Sequence, residues 1–339
     1  MASSAAATAK VTDMIGALDR LVAVTQPGME RVNRMILDRA SSHVELVPEI
    51  ARYLIEAGGK RLRPMLTIAS ALLCGAPNGE EVVYAASVEF MHNATLLHDD
   101  VVDESDMRRG RLAARMVWGN QASVLVGDFL LGQAFMMMVE ARNLDALAVI
   151  SKAATIIAEG EVFQLARARD LNTTEADYDA VIRAKTATLF EAATEVGAIA
   201  GGADEPGRAA LRDYGRELGY AFQLVDDVLD YRGEANRLGK NVGDDLREGK
   251  MTLPVILALQ SATEAERELL AQSLGNSEAG PEQLAAVLAL FNRTDTLGKT
   301  VERAREHARR AIAALKVLPK SDMRELLAEI AEFTVSRAY

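Results

Sequence analysis

Two short acidic sequences hold the residues most able to do chemistry. Asp99, Asp100 and Asp103 stand at i, i+1 and i+4, and Asp226, Asp227 and Asp230 repeat that spacing. On a helix, the first and last carboxylate of each set lie one turn apart on one face, with the middle one beside them. Anions this close repel each other, and a divalent cation offsets that cost best. Donors that are all oxygen select a hard ion, Mg²⁺ before Zn²⁺ or Cu²⁺. A solvated helix face also produces such triplets by chance. It would not, however, set Leu96 and Leu97, or Leu224 and Val225, directly against the carboxylates.

Cations sit near both sets. Gly58-Gly59 leads into Lys60-Arg61-Leu62-Arg63-Pro64, and Pro64 suits the first turn of a helix. A basic glycine turn feeding a helix N-terminus is an arrangement that binds phosphate; basic decoration of a loop is the plainer reading. Arg108, Arg109 and Arg111 follow the first acidic set. They could clamp a diphosphate or form a salt-bridged loop. Lys185 lies between Ala184, Ala187, Leu189 and Phe190, and a lysine in that setting needs an anionic partner.

The segments that must position these groups read as helices. Helical periodicity covers 11–25, 28–40 and 44–57, with the glycine pair closing the third. A further helix starts at Pro64, and another from about Glu80 carries His92 and the first acidic set. Residues 121–139 are apolar throughout, as expected of a helix buried in the core or at a subunit interface. Helices over 143–168 and 208–231 follow. Thr173 or Thr174 caps the one that holds Lys185 and Thr186. Residues 239–250 are polar and Gly-rich, which predicts a mobile loop; Thr252-Leu253-Pro254 opens the next helix. Three or four amphipathic helices complete the chain.

No alternating strand pattern, repeat or linker is visible. The expectation is an all-α protein of a dozen or so helices, with 1–10 a disordered start and 11–339 one domain. Composition agrees: 49% hydrophobic residues but only 5% aromatic favours close-packed helices. A net charge of −11 argues against nucleic acid as partner. The single cysteine, Cys74, excludes an internal disulfide and suits a reducing cytoplasm. No signal peptide and no uncharged run of transmembrane length is expected.

In order, the chain presents Gly58-Gly59-Lys60-Arg61-x-Arg63-Pro64, Leu96-Leu97-His98-Asp99-Asp100-x-x-Asp103 with Arg108-Arg109-Gly110, Lys185-Thr186, Gln223-x-x-Asp226-Asp227-x-x-Asp230, Gly239-Lys240 and Gly243-Asp244-Asp245. Together these resemble the trans-prenyltransferases, the isoprenyl diphosphate synthases. The match spans roughly 44–254, and the stretch 94–110 is most similar to bacterial octaprenyl-type, long-chain members. The resemblance implies the isoprenoid synthase fold, a helical bundle around an apolar cavity. It also implies that Asp99, Asp100, Asp103, Asp226, Asp227 and Asp230 hold Mg²⁺, three ions per site with Mn²⁺ a possible substitute. Arg108, Lys185, Thr186, Gln223 and Lys240 would bind the allylic diphosphate. Lys60, Arg63, His92 and Arg109 would bind isopentenyl diphosphate. Asp244 and Lys250 fit a closing loop. The catalytic set is then Asp99, Asp100, Asp103, Arg108, Lys185, Asp226, Asp227 and Lys240.

The implied reaction repeatedly condenses isopentenyl diphosphate with farnesyl or geranylgeranyl diphosphate, giving a product of C40 or longer for quinone side chains such as that of ubiquinone. The leaving diphosphate is stabilised electrostatically, the allylic cation is captured by the double bond, and a proton is lost. Product length would depend on Ala94 and Met91, expected along the tunnel wall, with Phe129, Phe135 and Met136 to Met138 as candidates for its floor. The resemblance further implies a homodimer, with transient membrane contact for product release. The competing readings are a shorter-chain synthase, a terpene cyclase, a non-catalytic partner subunit and a structural helical protein. A cyclase usually lacks the second aspartate set, and a partner subunit would lack one or both sets.

Overall fold

The computed structural model describes residues 2–75, 78–232, 242–276 and 280–337, with side chains from residue 16 onward. In chain order the helices are α1 (Ala2–Arg39), α2 (Leu46–Glu56), α3 (Leu62–Cys74), α4 (Glu80–Val102), α5 (Ala114–Glu140), α6 (Leu144–Arg167), α7 (Glu175–Ile182), α8 (Thr188–Ala200) and α9 (Glu205–Arg232). Then come the single turn α10 (Asp244–Arg247), α11 (Leu253–Gln260), α12 (Glu264–Ser273), α13 (Pro281–Thr294), α14 (Thr296–Ala314) and α15 (Asp322–Ser336). A one-turn π-helix, Arg183–Ala187, joins α7 to α8.

At the centre lies α8, whose residues are buried except for Glu191 and Ile199 on their partly exposed positions. It is flanked by α3, α4, α6 and α9. The approach of α9 is close because Gly219 has no side chain: a Cβ there would fall 2.5 Å from the Ala187 Cα. The helices α4 and α9, which carry the two acidic sets, are thereby held on either side of one element. The last helix, α15, packs back on α1 and α14 and brings its C-terminal end towards the same region.

Several expectations were altered by packing. Helix α1, Ala2–Arg39, is continuous through Pro27, where two helices were expected. A proline inside a helix removes a backbone hydrogen bond. Here Ala17, Leu21, Thr25, Val32 and Ile36 bury one face on both sides of it, so tertiary packing holds the helix across the proline. Residues 107–112, read as loop, form a small hairpin in which Met107–Arg108 pairs with Arg111–Leu112. Its central residues, Arg109 and Gly110, both have positive φ, 53° and 75°, as a two-residue hairpin turn requires. Thr174 caps α7 through a reciprocal box with Asp177.

Among the described residues, α5 alone is long and apolar enough to cross a membrane by composition, and 39% of that window is buried inside the protein. Much of α5 packs on α4. Leu125, Met136 and Val139 remain more than half exposed.

Candidate active site

A cleft of about 1050 Å³ opens between the C-terminal halves of α4 and α9. It is lined by Asp99 and Asp103 from α4, by Asp226, Asp227 and Asp230 from α9, and by Arg63, His92, Arg108, Arg109, Lys185, Thr186, Gln223, Asp244 and Lys250. The aspartates lie on inward faces because the leucines and valines beside them are buried: Leu97, Leu224 and Val225 are at most 1% exposed. Lys185 and Thr186 come from the π-helical turn, whose wider winding re-aims a few side chains without breaking the helix.

Each acidic set is already met by donors. Arg108 Nε donates to Asp100 Oδ1 at 2.8 Å, and Asp100 is fully buried. Lys250 Nζ donates to Asp103 Oδ2 at 2.8 Å. Lys185 Nζ is 2.9 Å from Glu161 and 3.9 Å from Asp99. On α9, Tyr178 donates to Asp227 Oδ2 at 2.6 Å, while Gln223 donates to its Oδ1 at 2.8 Å and accepts from Thr186 at 2.7 Å. Arg337, at the end of α15, pairs with Asp226 at 3.2 Å. The backbone N–H of Asp245 reaches Asp230 Oδ2 at 3.3 Å.

Burial pushes Asp99 up to about 7 against the opposing pull of Lys185. Asp227 is likewise raised to about 7, by burial and then by Asp245, with Tyr178 and Gln223 resisting. Burial also acts to raise Asp103, but Lys250 and Lys185 outweigh it and hold the carboxyl below its ordinary value. Lys185 is raised: burial opposes its charge, and Asp99 and Glu161 more than compensate.

A second group of cations faces the same cleft. Arg63 stacks on Phe190, 4.3 Å from the ring centre, and its Nη1 donates to His92 Nε2 at 3.5 Å. Burial, then the surrounding arginines, keep His92 well below its ordinary value and therefore neutral. Arg109 donates to the Gly58 carbonyl. Gly59 has φ +139°, and a Cβ there would lie 2.8 Å from the Arg109 guanidinium carbon, so glycine is required.

Not every expected residue lines the cleft. Lys60 is exposed beside it, 6.0 Å from the Phe333 ring. Lys240 lies outside the described residues, as does part of the loop expected over 239–250. From α4 the cleft is lined by His92, Thr95, Leu96, Asp99 and Val102. Ala94 and Met91, both expected on that wall, are instead buried in two different apolar clusters. Ala94 is grouped with Phe90, Val126 and Leu130, and Met91 with Met138, Ile157 and Leu189. Ala94 packs towards α5 and Met91 towards α5, α6 and α8, so neither side chain reaches the cleft. Sequence reasoning missed Glu161, Tyr178, Glu248 and Arg337, which reach the site from elements far along the chain.

The donor chemistry fits a divalent cation. All candidate ligands are carboxylate oxygens, and the burial that raises Asp99 and Asp227 would be relieved by a bound cation. Among the described residues, no three acidic, His or Cys side chains already form a closed metal cage. Mg²⁺ does not need one, since it typically takes one or two carboxylates and completes its shell with ligand phosphates and water.

Two facing aspartate sets, each backed by cations within an all-α bundle, define a metal-assisted diphosphate enzyme. The polyprenyl synthetase family model matches residues 44–291, and this chain belongs to that family. It is 45% identical to octaprenyl diphosphate synthase of Escherichia coli (strain K12) over 320 residues, 94% of this chain and 99% of that one. It is 43% identical over 307 residues to an all-trans-nonaprenyl-diphosphate synthase (geranyl-diphosphate specific) of Rhodobacter capsulatus, covering 90% of this chain and 94% of the relative. The crystal structure of polyprenyl synthase from Caulobacter crescentus CB15, complexed with calcium and isoprenyl diphosphate, superposes with a TM-score of 0.91 at 49% identity, covering 95% of this chain and 98% of that one. The fold is the all-α isoprenoid synthase fold, and the protein is a trans-prenyltransferase.

Proposed function

We propose that this enzyme elongates farnesyl or geranylgeranyl diphosphate with successive isopentenyl diphosphate units to an all-trans polyprenyl diphosphate of C40 or longer, for quinone side chains. The supporting observation is that two groups of basic side chains share one cleft, one paired directly with Asp99, Asp100 and Asp103 and the other gathered on Phe190, His92 and the Gly58 carbonyl. Arg108, Lys185 and Lys250 are interleaved with Asp99, Asp100 and Asp103. Arg63, His92 and Arg109 form the other group. Two diphosphates of unequal metal demand suit this division.

Asp99, Asp103, Asp226 and Asp227, supported by Asp100 and Asp230, would hold Mg²⁺, with Mn²⁺ as substitute; we expect three ions. The bound metal supplies Lewis-acid neutralisation of the leaving diphosphate. Lys185, Arg108 and Lys250, with Lys240, Thr186 and Gln223, would bind the allylic diphosphate and favour charge build-up as its C–O bond breaks. Arg63, Arg109, Lys60 and His92 would hold isopentenyl diphosphate so that its double bond faces the allylic carbon. Leu96, Phe222 and Ile182 exclude water from the cation that forms. The final proton goes to the departed diphosphate, because the His92 Nε2 already accepts from Arg63.

A shorter product is the second reading, and the absence of Ala94 and Met91 from the cleft wall favours it. The enzyme works in this account as one domain and a homodimer, in a reducing cytoplasm, and hands its product to a membrane. The test is incorporation of labelled isopentenyl diphosphate by purified protein supplied with farnesyl diphosphate and Mg²⁺. Metal-dependent incorporation is expected. Folded protein that incorporates none, with or without metal, would overturn the proposal.

A further inference from the structure

Behind the second cation group lies a buried carboxylate that the reaction does not use. Glu89, one turn before His92 on α4, is 2% exposed. Its Oε1 is 3.4 Å from Arg61 Nε and accepts from Asn93 Nδ2 at 3.3 Å. Arg63 and Arg109 also lie within its electrostatic reach. Burial raises the Glu89 carboxyl, and these three arginines and Asn93 pull against that rise. Arg61 does not line the cleft. It sits in the left-handed region, φ 48°, at the start of α3, which turns its side chain back towards Glu89.

Three guanidinium groups crowded behind one ligand repel each other and tend to spread. Arg61 Nη1 and Arg63 Nε are buried with no hydrogen-bond partner among the described residues, so neither arginine is held by a complete set of bonds. The group that keeps Arg61 folded back, and supplies the charge against which Arg63 and Arg109 can remain close, is Glu89.

We propose that Glu89 is a positioning residue for isopentenyl diphosphate: by pairing with Arg61 it fixes the spacing of Arg63 and Arg109. This rests on the functional reading above. It also has a sign of its own. Deleting a negative charge near an anion site should tighten anion binding if only the summed charge matters. If position matters, the same deletion weakens it.

The experiment compares wild type, Glu89→Gln and Glu89→Asp in steady-state kinetics with each substrate varied separately, alongside their melting temperatures. Glu89→Gln keeps the volume and one acceptor oxygen, replaces the other oxygen by an NH2 donor, and loses the charge. Its KM for isopentenyl diphosphate should rise about tenfold, in the range found when a residue that orients a ligand-binding group is removed. The KM for farnesyl diphosphate should stay within about twofold, and Glu89→Asp should recover most of the loss. An unchanged or lowered isopentenyl KM in Glu89→Gln overturns the inference. So does an equal rise in both KM values with a fall in melting temperature, which marks a merely structural role. Should Glu89→Gln not fold, Asn93→Ala removes one bond to the same oxygen and should raise the isopentenyl KM about threefold, the allylic KM unchanged; no change there overturns the inference too. Wild type that fails to incorporate isopentenyl diphosphate contradicts the functional reading itself. Active wild type with an unshifted variant contradicts only the role of Glu89.

Discussion

Asp99 and Asp227 are carboxylates held in a place that disfavours their charge. Both rise from an ordinary 3.8 to about 7. Between those values the folded protein keeps protons that the unfolded chain has released. The unfolded state then binds fewer protons, so these two groups lower stability as pH rises through the window. A cation that needs both groups ionised binds better as pH rises. Thermal melts with and without Mg²⁺ and inorganic diphosphate should therefore show a larger rise in melting temperature at pH 8 than at pH 5.5. Equal shifts at the two values would mean that these carboxylates do not hold the metal. At this scale, the acidic residues, Arg63 and Lys185 stood out by type and spacing, and Gln223 only through the family resemblance. Tyr178 and Arg337 were not, because they meet Asp227 and Asp226 across 49 and 111 positions of chain, and nothing local in the sequence specifies such a pairing.

Among the elements, α4 decides most. One face delivers His92, Thr95 and Asp99 to the cleft, and the others lie against α5, α3 and α8. The helix and its acidic end were legible from its apolar run. The rotation of Ala94 and Met91 away from the cleft was not, since every face of α4 carries apolar residues and periodicity could not say which one met a cavity. In α1 the sequence overstated the power of Pro27 to break a helix, because the buried stripe from Ala17 to Ile36 becomes visible only once α3 and α4 are in place. Ala94 packs with Val126 and Leu130 of α5, one position before Thr95 on the cleft wall, so added bulk there would shift α4 beside the cleft. Ala94→Phe should cost about 1–3 kcal/mol through overpacking and shorten the product while leaving the first condensations intact. A lowered melting temperature with unchanged product length would leave Ala94 with a packing role only.

For the molecule as a whole, two consecutive helices carry several exposed apolar side chains: Leu125, Met136 and Val139 on α5, and Leu144 and Val162 on α6. Exposed apolar side chains on neighbouring helices suit an interaction surface, and a second copy of this chain is the partner we propose. Sedimentation should give twice the chain mass, and Leu125→Glu with Met136→Glu should give the monomer; a monomeric wild type would contradict the assignment. The all-α class was legible in the composition. Whether core or partner covers an apolar helix was not legible, because both give the same sequence pattern.

Product length tests the central claim most directly. Protein incubated with farnesyl diphosphate, labelled isopentenyl diphosphate and Mg²⁺ gives products that are dephosphorylated and separated by size. A ladder ending at C40 or beyond is expected. A stop at C20 would contradict the long-chain account and support the shorter-chain reading.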